Sequence, residues 1–80
     1  MFLEIISPQK KIFSGEVKQV LVPGSKGQFE ILRNHAPIVS TLAAGKIKIV
    51  SLDGEKTFFD IKSGVIDLKD NNIIILVDSI

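Results

Sequence analysis

The chain has 80 residues, 45% of them hydrophobic, with a net charge of +1 and no cysteine. That length makes one domain, here residues 1–80, and a chain this short buries only about 60% of its unfolded surface. The missing cysteines exclude disulfides and thiolate metal sites, and the near-neutral charge gives a nucleic-acid partner little support.

Short apolar runs broken by turn residues follow one another along the chain. Leu3 to Ile6 is the first, ended by Ser7-Pro8. Lys11-Ile12-Phe13 stops at Ser14-Gly15, and Val17 to Val22 stops at Pro23-Gly24. Gln28 to Leu32 and Ile38 to Leu42 lie on either side of a polar corner, Arg33-Asn34-His35-Ala36-Pro37. Lys46 to Leu52 and Lys56 to Ile61 flank Asp53-Gly54, a pair that favours the positive dihedrals of a type I′ hairpin turn. Val65 to Leu68 and Ile73 to Val77 flank a second turn, Lys69 to Asn72. Gly and Pro cut most windows long enough for a helix, and the uncut stretch from Val65 is rich in β-branched Ile and Val. The expected class is all-β, a sandwich or barrel with no substantial helix.

Two runs do not alternate. Ile73 to Val77 is apolar throughout, and Lys46 to Leu52 shifts phase from Ile47 and Ile49 to Val50 and Leu52. Either these strands are central or bulged, or their outer face is covered by another protein. Charge is also uneven: residues 1–50 carry +4 and residues 51–80 carry −3. This reads either as two faces of opposite sign or as scatter.

Pro23 to Pro37 is the stretch with the most surface chemistry. Gly and Pro fix its turns, Phe29, Ile31 and Leu32 anchor it, and Ser25, Lys26, Gln28, Arg33, Asn34 and His35 project. Such groups recognise a surface; they form no catalytic set. His35 is the only histidine, flanked by Asn34 and Ala36 with no orienting acid, and reads first as a turn residue bonding to nearby backbone. No catalytic residue, metal site or cofactor is expected. Gly45-Lys46 lacks the P-loop spacing. Gly24-Ser25-Lys26-Gly27 matches the G-x-x-G of KH modules, but that loop joins helices. The alternative function is a small OB-like barrel binding single-stranded nucleic acid on its phenylalanines. The start, M-F-L-E-I-I-S-P, has no basic leader, and no apolar run approaches the roughly 20 residues of a membrane span. Membrane contact is therefore expected only through partners.

Taken together, the ordered pieces L-E-I-I-S-P (Leu3 to Pro8), I-F-S-G-E-V (Ile12 to Val17), P-G-S-K-G-Q-F (Pro23 to Phe29), I-L-R-N-H-A-P (Ile31 to Pro37), G-K-I-K-I (Gly45 to Ile49), S-G-V-I-D-L (Ser63 to Leu68) and I-L-V-D (Ile75 to Asp78) resemble the ε subunit of the F-type ATP synthase. The resemblance covers essentially the whole chain. It implies a ten-stranded β-sandwich of two antiparallel sheets and a non-catalytic rotor role, coupling the γ stalk to the membrane c-ring and acting only indirectly on the α/β catalytic head. It implies a γ-facing surface at Ser7, His35, Ile38 and Ser40, and a ring-facing loop at Ser25, Lys26 and Gln28. It also implies a peripheral place on the cytoplasmic face of the bacterial inner membrane, with no nucleic-acid partner. Glu30 stands where relatives often have Gly, and Gln28 where many have an acid. Many relatives continue into a helical hairpin that inhibits hydrolysis and in some binds ATP; the sequence stops at Ser79-Ile80, so neither property is expected of it.

Overall fold

A computed structural model of the chain describes residues 1–78; Ser79 and Ile80, and with them the expectation of a missing hairpin, lie outside the described residues. Eight strands run in the order β1 (Phe2–Ile6), β2 (Lys11–Gly24), β3 (Gly27–Leu32), β4 (Ile38–Leu42), β5 (Gly45–Ser51), β6 (Lys56–Ile61), β7 (Gly64–Lys69) and β8 (Asn72–Val77), with no helix among the described residues. The all-β sandwich is as expected, but the count is eight rather than ten. One reason is plain. Ser14-Gly15 does not stop a strand: Gly15 pairs with Leu3, and the chain continues as one 14-residue strand.

That long strand builds the sandwich. Its first half, from Lys11 to Glu16, pairs with β1. Its second half pairs with β3 and β5. The register slips between Val17 and Gln19, a bulge that bends the strand from one layer into the other. One layer is β3-β2-β5-β6 and the other is β1-β8-β7-β4, joined through β2. Each layer mixes strands from both halves of the sequence, so the charge division along the chain is not a division into faces. The sheets are not wholly antiparallel, as β1 and β8 run parallel from Phe2 opposite Asn72 to Ile6 opposite Leu76. Residues 7–71 separate them, ample for the crossover a parallel pair requires.

The core follows the period-two alternation of paired strands. Leu3 and Ile5 of β1, Ile73, Ile75 and Val77 of β8, and Ile66 and Leu68 of β7 face Val17, Val20 and Val22 of β2, Ile31 of β3, Ile47 and Ile49 of β5 and Ile61 of β6. Phe13 and Phe59 meet edge to face at 6.2 Å between ring centres against this cluster, and Phe29 packs on it. Three of the five phenylalanines are thus structural, while Phe2 and Phe58 lie on strands of different layers. The row of stacking aromatics that an OB-like nucleic-acid barrel needs is not assembled, and that alternative finds no support.

Both hairpins inferred from turn residues form, but the type I′ turn expected at Asp53-Gly54 forms at the other hairpin instead. The type I′ geometry belongs to Asp70 and Asn71, at φ 51° and 61°, between the paired Lys69 and Asn72. At Asp53-Gly54 the loop is longer. The Gly54 N–H donates to the Ser51 carbonyl at 3.0 Å, the Ser51 N–H to the Glu55 carbonyl at 2.9 Å, and only Gly54 has positive φ, at 90°. This is a type I turn closed by a glycine bulge. Side chains select it, since the Ser51 hydroxyl bonds the Asp53 carboxylate and the Glu55 N–H donates to both.

The Ser51 hydroxyl and then the Glu55 N–H hold the Asp53 carboxyl below the usual carboxylate range. A folded value below the unfolded one means that the ionised form stabilises the turn. That contribution is complete above about pH 4 and is lost as pH falls through the lowered value. Urea midpoints of the parent and Asp53→Asn, followed from pH 6 to pH 2, are therefore expected to separate in favour of the parent at the upper end and to converge at the lower. A gap that widens in acid would show that the carboxylate does not act this way.

Candidate functional site

The β2–β3 hairpin and strand β4 together make the largest cluster of predicted site residues. β2 ends in a fork: Gly24 pairs with Gly27 of β3 and also with Leu42 of β4. From this fork β3 and β4 diverge, each in a different layer. The hairpin tip is only Ser25 and Lys26. The Ser25 N–H donates to the Thr41 carbonyl at 3.1 Å, the two hydroxyls lie 2.8 Å apart, and the Ala43 N–H donates to the Pro23 carbonyl at 2.8 Å. The tip is thereby pinned to the end of β4. Lys26 and Gln28 are exposed and make no side-chain bond among the described residues.

Between the diverging strands lies an open groove of about 560 Å³, lined by Gly24 to Phe29 and by Ile38 to Thr41. Ser25, Lys26 and Gln28, expected to face the ring, and Ile38 and Ser40, expected to face the stalk, share this one feature. Parity sorts β4. Ser40 pairs with Ile66 and Ile38 with Leu68, both buried, so Ile38 and Ser40 point inward at the groove and are half-buried. Val39 and Thr41 point to the opposite face, and Val39 is 71% exposed.

His35 sits at the other end of β4, on the corner between β3 and β4. Its N–H donates to the Leu32 carbonyl at 3.1 Å. Its Nδ1 lies 2.7 Å from the Ala36 carbonyl, which can only accept, so Nδ1 carries a proton and Nε2 is left for a partner. The expectation of a turn residue bonded to nearby backbone is met. A shallow pocket of about 210 Å³ beside it is lined by Asn34, Pro37, Asp70 and Asn71.

Ser7 stands apart. It follows β1 beside the end of β8, whereas His35 is near the β7–β8 turn at the opposite end of those strands. It is only 9% exposed, and its hydroxyl donates to the Lys10 carbonyl at 3.1 Å while accepting the Lys10 N–H at 3.2 Å. Its work is to close the turn over Pro8 and Gln9.

Sequence reading offered an outer face covered by another protein as one of two explanations for the apolar run of β8, and that face belongs to the β4-β7-β8-β1 layer. Val65 pairs with Leu76 and Asp67 with Ile74, and these apolar side chains are between 39% and 52% exposed, continuing the patch from Val39. The unbroken apolar run of β8 was its signal. β8 is a central strand, and its second face is nonetheless open. Among the described residues no group of three or more His, Asp or Glu could hold a metal ion, and no helix is long and apolar enough to cross a membrane.

Comparison with known proteins gives a uniform result. The family described as the β-sandwich domain of the ATP synthase delta/epsilon chain matches residues 1–80. The ATP synthase epsilon chain of Chlorobium limicola is 37% identical over 78 residues, covering 98% of this chain and 89% of that protein. That of Leptospira interrogans is 46% identical over 77 residues, covering 95% of this chain but 59% of the longer relative. Among solved structures, a chain of the Euglena gracilis mitochondrial ATP synthase (OSCP/F1/c-ring) superposes with a TM-score of 0.87 at 22% identity, over 94% of this chain and 48% of that one. A chain from the central stalk and c-ring of the Tetrahymena thermophila enzyme gives 0.83 at 16% identity, over 99% and 63%. These two likenesses concern the fold.

Proposed function

The chain belongs to the ATP synthase delta/epsilon chain family of β-sandwich domains, and from that premise we propose that it is a rotor part, coupling the γ stalk to the c-ring during ion-driven ATP synthesis. It is a non-catalytic subunit. The observation that carries the coupling is the course of β4. One five-residue strand runs from the His35 corner to the tip of the Ser25–Gln28 hairpin, and hydrogen bonds tie it to the hairpin at Thr41. A load taken up at either end passes through a close-packed sandwich, which deforms little.

In this reading His35, Ile38 and Ser40 meet the stalk, Ser7 holds its own turn at the far end of β1, and Lys26 and Gln28 hydrogen-bond polar loops of the ring. Lys26 and Gln28 suit that role because they are exposed and unengaged. The domain spans residues 1–80, and the α/β head is reached only through γ. Its place is peripheral, on the cytoplasmic face of the bacterial inner membrane, held there by its partners.

Co-elution with purified γ subunit on a sizing column tests the reading, a stable one-to-one complex being expected. His35→Glu is expected to weaken γ binding about tenfold or more, by setting a carboxylate into a contact built for imidazole, while leaving the melting temperature unchanged. Gln28→Ala is expected to weaken capture by isolated c-ring and to leave γ affinity intact. Separate elution of folded γ and folded chain would sink the stalk role. Equal γ affinity for His35→Glu would remove that residue from the contact.

A further inference from the structure

The corner from Arg33 to Pro37 carries His35 from one layer to the other, and its local support is slight. Beyond the His35 N–H bond to Leu32 and the His35 Nδ1 bond to the Ala36 carbonyl, its ties run to a distant turn. The Asn34 N–H donates to Asn71 Oδ1 at 2.8 Å, and Asn71 Nδ2 donates to Asn34 Oδ1 at 3.2 Å. The two residues are 37 apart in sequence. Both hold left-handed backbone, φ 65° at Asn34 and 61° at Asn71. Asn tolerates that region, but glycine serves it at least as well, and Asp-Gly is a preferred pair for a type I′ turn. The turn alone therefore does not require Asn at position 71. What Asn adds is a side chain that both accepts from and donates to the opposite corner.

We infer that Asn71 is a positioning residue for His35: its reciprocal bonds with Asn34 clamp the 33–37 corner to the β7–β8 turn and set the corner's geometry before the stalk arrives. The inference rests on the stalk contact proposed for His35. A loop ordered in advance does not have to be ordered on binding, so the clamp acts on affinity more than on fold stability. Asp70 and the half-buried Asn71 also line the shallow pocket at His35, so the same turn shapes the surface beside the imidazole.

Asn71→Gly isolates the effect, because it removes the side-chain bonds while keeping the turn geometry. The expected result is an unchanged melting temperature, a lower backbone order parameter at the His35 amide, and about tenfold weaker binding to purified γ by titration calorimetry. Asn71→Asp keeps the acceptor for the Asn34 N–H and is expected to restore part of the loss. Equal γ affinity of the parent and Asn71→Gly would overturn the inference while leaving the stalk role standing. A fall in melting temperature with His35 order unchanged would also overturn it, assigning Asn71 to stability alone. If the parent itself does not bind γ, the stalk role fails, and the order parameter still judges the clamp: His35 equally ordered in parent and variant overturns it.

Discussion

Replacing Ile75 by alanine is expected to destabilise the domain by about 2–5 kcal/mol, the range for large-to-small changes in a packed core. Ile75 is fully buried on β8, between Ile66 of β7 and Ile5 of β1, which are also fully buried. Strands hold it on both sides, so the backbone has little freedom to collapse into the cavity. Small domains have total stabilities near the low end of roughly 5–15 kcal/mol, and the variant should be substantially unfolded at 37 °C. Ile75→Val should cost only about 0.5–1.5 kcal/mol. The adjacent residue supplies the control. Leu76 points outward and is 52% exposed, so Leu76→Ala should change stability by about 0.5 kcal/mol or less. Urea midpoints with unchanged m-values measure all three. A loss at Ile75 no greater than at Leu76 would mean that the two faces of β8 are wrongly assigned.

The same strand shows what the sequence disclosed. Five consecutive apolar residues left two readings open, a central position or an outer face covered by another protein; the first is met, since β8 is central, and its outer face is apolar and exposed. Local signals were the legible ones. Gly, Pro, Asn and Asp act on the backbone within a few residues, so both hairpins, the 33–37 corner and the Ser25–Lys26 tip stood out. Turn types were less legible, because side chains such as Ser51 and Asp53 compete with backbone preference. Long-range features were hidden. Ser14-Gly15 looks like a stop, yet β1 supplies ladder partners that carry β2 through it. The parallel pairing of β1 with β8 and the clamp between Asn34 and Asn71 each join residues far apart in the chain. The groove uniting Ser25, Lys26 and Gln28 with Ile38 and Ser40 exists because β2 forks, and nothing local announces a fork.

Gly24→Ala is expected to damage the site and the fold together. A Cβ at this position would lie 2.6 Å from the Gly27 carbonyl oxygen and 2.7 Å from Cε1 of Phe29. The first obstacle is backbone in the facing strand of a hairpin with a two-residue tip, so relief requires the hairpin to open. The second is a ring packed against the core. Overpacking of this kind costs about 1–3 kcal/mol or more. Gly24 also pairs with Leu42, so opening the hairpin strains the fork and draws Ser25 off Thr41. Capture by isolated c-ring should therefore fall along with the urea midpoint. Gly27→Ala separates sterics from backbone strain: nothing lies within 4 Å of its Cβ, but φ is 129°, a conformation that costs an L-residue about 1–3 kcal/mol. Gly15→Ala meets neither obstacle, its nearest neighbour being Cζ of Phe13 at 3.6 Å. By restricting the unfolded chain it should be neutral or stabilising by up to about 1 kcal/mol. An equal loss at Gly15 and Gly24 would place the effect in glycine content rather than in the fork. A large loss at Gly24 beside none at Gly15 would identify the fork as the joint that holds the hairpin against β4.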